Sequence, residues 1–140
     1  MNFEHLIFMR DNLDLNQREM AEKLNVSKST YARWETGEKI IPLKHLINLC
    51  NITRTDLDYA IGLSDQKIKL RKDIIIDKVI IGNNLKKLRD ENSLSQKSFA
   101  ESINTVQSVI SAYESGKTLI QTSFLYDICL KYKKSPKSFF

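Results

Sequence analysis

Apolar residues fall along the chain in short stripes with helical spacing. Phe3, Leu6, Ile7 and Met9 predict a first helix over residues 2–12. Met20, Ala21 and Leu24 predict a second over 17–24, and Tyr31 and Trp34 a third over 27–36. Leu43, Leu46, Ile47, Leu49 and Cys50 mark a fourth that begins near Pro42, a favoured first-turn residue. Leu57 and Ile61 suit a short fifth over 55–61, ended by Gly62. The polar residues at the boundaries agree. Asn16 followed by Glu19 reads as a capping box, and Ser27 as an N-cap. Gly37 supplies a C-terminal turn, and Asn25 tolerates the left-handed conformation that ends a helix.

The pattern then starts again. Gln17–Gly37 (QREMAEKLNVSKSTYARWETG) returns as Gln96–Gly116 (QKSFAESINTVQSVISAYESG), offset by 79 residues without a gap. Gln, Ala, Glu, Asn, Ser, Glu and Gly recur at matching positions. A repeat of this kind decides the architecture before any other feature does. The second copy predicts helices over 77–92, from a Ser95 cap, over 106–115 and over 122–132, with a truncated last helix over 135–140. Tyr132 and Phe139 align with Ile52 and Tyr59 at an offset of 80, which implies one extra residue near Leu130. The expected division is an N-terminal domain over 1–62, a connector over 63–76 and a C-terminal domain over 77–140. In the connector Ile68, Leu70, Ile74 and Ile76 alternate with charged residues. That alternation suits a short strand, although Ile75 breaks it and a helix leading into Asp77 fits nearly as well. Its apolar content predicts packing, either over the seam between domains or as a dimerisation element.

In each copy one helix ends at Ala–x–x–x–Asn, the chain turns over three or four residues, and a second helix begins. Ala21 is small where two crossing helices need close approach, and Val26 points inward. This is a helix–turn–helix. With Gln17 opening the first of these helices and Trp-Glu-Thr-Gly (Tyr-Glu-Ser-Gly in the second copy) ending the next, the stretch resembles the Cro/CI-type, or XRE-like, repressor family. The resemblance covers both copies. It implies an all-α fold of two tandem five-helix, lambda-repressor-like domains that bind double-stranded DNA.

The resemblance also assigns roles. In this fold a helix N-terminus meets the phosphate backbone while the next helix enters the major groove. Gln17 and Gln96 stand where the scaffold helix presents backbone N–H groups to a phosphate. Ser27, Lys28, Ser29 and Arg33 form the outer face of the first recognition helix, with Thr30, Tyr31 and Trp34 leaning to the core, and Lys39 follows in a loop that meets phosphate. Lys and Arg suit guanine, and Ser adapts to either partner. The matching face of helix 106–115 is Val106, Gln107, Ser108, Ser111 and Ala112, with no positive charge, and Lys117 lies in the loop beyond. Gln107 suits adenine and Val106 a thymine methyl. Val106 replaces the capping Ser27, so Thr105 must cap or the helix start frays. Arg10 with Glu35, and Arg89 with Glu114, are implied as internal ion pairs.

Composition narrows the function. Net charge is +5, spread as 8 basic and 9 acidic residues in 1–62, 5 and 3 in 63–80, and 9 and 5 in 81–140. A polyanionic partner fits, weakly for the first half. No apolar run reaches the roughly 18 residues of a membrane span, and the N-terminus lacks the basic start of a signal peptide, so a cytoplasmic protein is expected. Cys50 and Cys129 read as buried thiols, His5 and His45 belong to no motif, and no spacing suggests zinc or another cofactor. There is no Gly-rich phosphate loop and no nucleophile–base arrangement, so an enzyme is not expected. The expectation is a transcriptional regulator of bacterial or phage type, and a plain repressor, since nothing outside the two domains could sense a ligand. The rival is a protein-binding module, an antitoxin or an inhibitor of a nucleic-acid-processing complex that also autoregulates. A homodimer and a protein partner both stay open.

Overall fold

The structure, a computed structural model, describes residues 1–140 and divides into two units, Met1–Ile74 and Ile75–Phe140. The first holds α1 (Glu4–Asp11), α2 (Gln17–Lys23), α3 (Lys28–Thr36), α4 (Leu43–Thr53) and α5 (Leu57–Ala60). The second holds α6 (Lys78–Glu91), α7 (Gln96–Ser102), α8 (Gln107–Glu114), α9 (Thr122–Tyr132) and a closing 3-10 turn, Pro136–Phe139. The fold is all-α. No helix is long and apolar enough to cross a membrane.

Local chemistry sets the bounds. The Asn16 side chain accepts from the Glu19 N–H (2.8 Å) while Glu19 accepts from the Asn16 N–H (3.0 Å), which completes the capping box. Ser95 caps α7 by accepting from Ser98 N–H at 3.0 Å. The helix–turn–helix corner is built alike in both units. Asn25 (φ 56°) and Asn104 (φ 58°) take the left-handed conformation. The following N–H groups then reach back to the Ala21 and Ala100 carbonyls at 3.0 and 2.9 Å. Gly37 and Gly116 also sit at positive φ, 79° and 76°. A side chain there would be strained, and its Cβ would lie 2.6 Å from Phe3 at Gly37 and 3.0 Å from Val79 at Gly116. The second unit begins one turn earlier than the first. Its Gly82, in mid-helix, passes so close to the end of α8 that a Cβ would lie 2.3 Å from the Tyr113 carbonyl oxygen.

Each core is the apolar stripe set. Leu6, Met9, Met20, Ala21, Leu24, Tyr31 and Trp34 are buried with the α4 residues, and Phe99, Ala100, Ile110 and Tyr113 take equivalent places in the second unit. Phe3, Ile7 and Val26 are only half-buried. Thr30 departs from its expected inward lean: it is exposed, and its hydroxyl accepts from Ser27 at 2.8 Å. His5 is buried and stacked on Tyr59 (centroids 3.9 Å apart), with Nδ1 2.7 Å from the Tyr59 carbonyl. Cys50 and Cys129 are buried and not in a disulfide.

The repeat keeps its offset of 79 to the end. Helices α4 and α9 share both bounds at that offset, their C-caps Arg54 and Lys133 are both left-handed (φ 55° and 54°), and Asp56 and Ser135 are both N-caps. The extra residue expected near Leu130 does not exist, and Phe139 fills the place of Ala60 rather than of Tyr59.

The connector is neither strand nor helix. Thr55 and Lys69 form one isolated antiparallel bridge. Ile68 and Ile75 are 60% and 72% exposed, whereas Leu70, Ile74 and Ile76 are half-buried. Hydrogen bonds between its main chain and Asn51, Arg54 and Asp56 fix residues 68–74.

One buried ionic network recurs in both units. Arg10 donates to Glu35 through Nε (2.8 Å) and Nη2 (3.0 Å), and its Nη1 donates to the Leu15 carbonyl (2.8 Å). Arg89 makes the same three bonds to Glu114 (2.8 and 2.9 Å) and Leu94 (2.8 Å). Fork-to-fork geometry of this kind is the strong form of an ion pair.

Two predictions follow from the caps and the network. The Val106 side chain makes no capping bond, nor does Thr105 supply one. Val106→Ser should therefore raise the stability of the second unit by about 1 kcal/mol in urea denaturation, and Ser27→Ala should lower that of the first by a similar amount. Burial alone would raise the Glu35 carboxyl. The bonds from Arg10 and Gln17 outweigh burial and hold it below the usual range. The unfolded chain then binds this proton more readily than the folded one. Its contribution is complete above the unfolded value of about 4.3 and is lost as pH falls through the lower folded value. Unfolding midpoints followed by Trp34, the one tryptophan, should fall across that window. Glu35→Gln should flatten the dependence and cost about 3–5 kcal/mol at neutral pH, because Arg10 is left buried without its partner.

Candidate nucleic-acid interface

The first turn of α3 and the start of α2 converge on one concave, basic surface lined by Arg10, Asn16, Gln17, Arg18 and Lys28. Lys28 and Arg18 are exposed, with their charged heads free to meet an anion. Arg18 was not singled out by spacing, since on a helix it reads as a solvated charge. Only the fold puts it beside Lys28. Its counterpart at offset 79 is Lys97.

Gln17 has a second task. Its Nε2 donates to Glu35 Oε1 at 3.0 Å, and Gln96 does the same to Glu114 at 3.3 Å. The side chain that opens each scaffold helix is thus tied to the ion pair at the end of the next helix. Its amide N–H groups are partly committed inside the domain. What remains for an outside anion is the helix start itself.

The outer face of α3 carries the expected residues. Ser27, Lys28, Ser29, Arg33 and Lys39 are all exposed. Ser27 is largely occupied: its hydroxyl accepts from Thr30 N–H (3.1 Å), donates to Thr30 Oγ1 (2.8 Å) and lies 3.2 Å from Ser29 Oγ. A hydroxyl has one donor and two acceptor sites, so Ser27 shapes the helix start, and Lys28 and Ser29 are what it presents. Arg33 lies 3.8 Å from Glu38. That pair is about half exposed and worth little, so an anion can displace it. Lys39 is placed by its N–H bond to the Arg33 carbonyl (3.2 Å).

In the second unit Gln107, Ser108, Ser111 and Lys117 are exposed, as is Val106 at 62%. Gln107 Nε2 donates to Gln96 Oε1 at 3.4 Å. Glu114, Gln96 and Gln107 therefore form a chain from the buried carboxylate to the outer face. Lys117 occupies the position of Glu38, and Ala112 that of Arg33. The positive charge has moved from the helix to the loop after it. No three His, Cys, Asp or Glu side chains gather in a way that could hold a metal.

Comparison with known proteins agrees with this geometry. Residues 6–59 match a family described as helix-turn-helix, and residues 82–140 match a second described as a helix-turn-helix domain. Over 66 residues, 46% of this chain, it is 36% identical to YqaE of Bacillus subtilis (strain 168), named as an uncharacterized HTH-type transcriptional regulator; the match covers 57% of that protein. Over 51 residues, 36% of this chain, it is 35% identical to YobD of the same organism, named likewise, covering 46% of it. The chain thus spans about half the length of the curated relatives it matches. No solved structure matches it.

Proposed function

Because the chain belongs to the Cro/CI-type (XRE-like) helix–turn–helix family and carries its domain twice, we propose that it is a sequence-specific DNA-binding transcriptional regulator acting as a repressor in the cytoplasm. The observation that carries this reading is the convergence of Arg18 and Lys28 with the start of α2 on one open basic surface. A phosphate sits against the helix start, and α3 enters the major groove with Lys28 and Ser29 at base edges and Arg33 one turn on. Lys39 adds a backbone contact. In the second unit α8 enters a neighbouring groove, where Gln107, held by Gln96, takes adenine bidentately, Ser108 and Ser111 adapt, and Lys117 meets phosphate. A tandem chain of this kind takes two unlike half-sites.

A second reading rests on the exposed Val106 and the uncharged face of α8. In that reading the second unit docks a protein partner and the first alone binds DNA.

Lys28→Ala and Arg33→Ala should each weaken DNA binding by about 1–3 kcal/mol in a titration with selected duplexes, with unfolding midpoints unchanged. Affinity should fall linearly on a logarithmic salt scale, less steeply by about one where a phosphate contact is removed. Undiminished binding after both changes would refute the assignment of α3. Gln107→Ala should alter sequence preference at one half-site only; an unchanged preference would support the partner-docking reading.

A further inference from the structure

In the first unit the chain does not leave the surface after α5. Residues 68–74 run along the end of α4 and the start of α5, held through their main chain. The Asp56 N–H donates to the Ile68 carbonyl (3.0 Å), and Asp56 Oδ1 accepts the Ile68 N–H (2.8 Å). The Arg54 carbonyl accepts the Leu70 N–H (2.9 Å), Arg54 Nη2 donates to the Leu70 carbonyl (3.2 Å), and Nη1 pairs with Asp73. Asn51 closes the set. Its Oδ1 accepts the Ile74 N–H at 2.8 Å, and its Nδ2 donates to the Ile74 carbonyl at 3.0 Å. The side chains of the segment contribute less, since Ile68 is 60% exposed and Leu70 and Ile74 are only half-buried.

The second unit shows that the domain does not need these residues. Leu130, Lys133 and Ser135 stand at the positions of Asn51, Arg54 and Asp56. The helix ends there keep the same left-handed cap and the same N-cap position without them. Asn51 thus serves the segment 68–74, and Asp56 serves it through Oδ1 while its Oδ2 caps α5 by accepting from the Tyr59 N–H at 3.2 Å.

We propose that Asn51, Arg54 and Asp56 form a clamp that fixes the length of free chain between the two DNA-reading domains, and so selects the half-site spacing that one chain can occupy. This rests on the reading of both units as DNA-binding. With the clamp closed, Ile75–Asp77 alone lies between the last clamped residue and α6, a reach of about 10 Å. With it open, the free chain runs from Asp65 to Asp77, since Leu63 and Ser64 stay bonded to the Asp58 carbonyl, a reach of about 45 Å. One turn of DNA advances roughly 34 Å, so the clamp separates a chain that cannot follow a one-turn change in spacing from one that can. A longer tether also lowers the effective concentration of the second domain at its preferred spacing.

The test uses the full chain and duplexes recovered from a random-sequence pool. Their half-sites are then moved apart by about five and about ten base pairs, half a turn and a full turn. Wild type should lose at least about tenfold in affinity at both new spacings. Asn51→Ala/Asp56→Ala should bind the original and full-turn spacings within about threefold of each other. An insertion of about eight Gly/Ser residues after Ile75, adding roughly 27 Å of reach with the clamp untouched, should flatten the preference in the same way. This insertion decides the matter if the double variant loses stability. Wild-type spacing preference in the insertion variant, with each half-site still bound, overturns the proposal. Hydrogen exchange separates the clamp from the DNA reading. The Ile68, Leu70 and Ile74 amides should exchange at least about tenfold faster in Asn51→Ala/Asp56→Ala than in wild type. Unprotected amides in wild type overturn the clamp itself. A wild type that binds no duplex while those amides stay protected overturns the spacing role through the failure of the DNA reading.

Discussion

The carboxylate of Glu35, and of Glu114 in the second unit, is the point on which each domain depends. It is buried, and it lies in the last turn of its helix, where the helix dipole disfavours negative charge. Such a group is tolerable only with full compensation. Arg10 supplies two parallel bonds and Gln17 a third, while the remaining arm of Arg10 holds the Leu15 carbonyl. One carboxylate therefore fixes four pieces of chain at once: α1, the loop after it, the first residue of α2 and the end of α3. Buried pairs add little net stability against an apolar substitute. Here the network sets geometry instead, since the start of α2 and the face of α3 must keep their mutual position for one surface to present both.

Much of this was legible in the sequence, and the reason is locality. Helix period, the Asn16–Glu19 box, the Asn25 and Asn104 corners and the Gly37 and Gly116 ends are decided within a few residues. Repetition at a fixed offset made each of them doubly visible. What was hidden depends on partners distant along the chain. Nothing in the spacing of Gln17 says that its amide reaches Glu35, or that Arg18 shares a surface with Lys28. His5 looked isolated because its partner Tyr59 lies 54 residues away. The connector was legible only in part, since its alternation suggested a strand or helix that does not form. Leu70, Ile74 and Ile76 are half-buried, in keeping with their apolar pattern, but the hydrogen-bonded anchors are backbone groups, which every sequence contains. The supposed insertion near Leu130 came from matching aromatics by kind. The fold instead conserves caps, and lets Phe139 fill the place where the first unit has Ala60 and a separate Tyr59.

The two units share their frame and differ in what they present. Ser27, Lys28, Arg33 and Glu38 of the first stand opposite Val106, Gln107, Ala112 and Lys117 of the second. These positions are exposed or half-buried, so changing them leaves the core untouched. The loss of the Ser27 cap at Val106 is the one difference that reaches into helix stability. In the second unit the polar chain continues outward from Glu114 through Gln96 to Gln107, which gives an uncharged side chain a defined orientation. In the first, exposed charge takes that role.

The central claim is that frame and readout are separable, and an exchange of reading faces tests it most directly. Val106→Ser, Gln107→Lys, Ser111→Ala, Ala112→Arg, Lys117→Glu and Thr118→Lys together place the outward residues of α3 and its loop on the second unit. Half-site selection from random DNA should then return the first unit's sequence at both half-sites, with unfolding of the second unit unchanged or shifted upward by the restored cap. A second half-site that keeps its original sequence, or a second unit that no longer folds, would contradict the account.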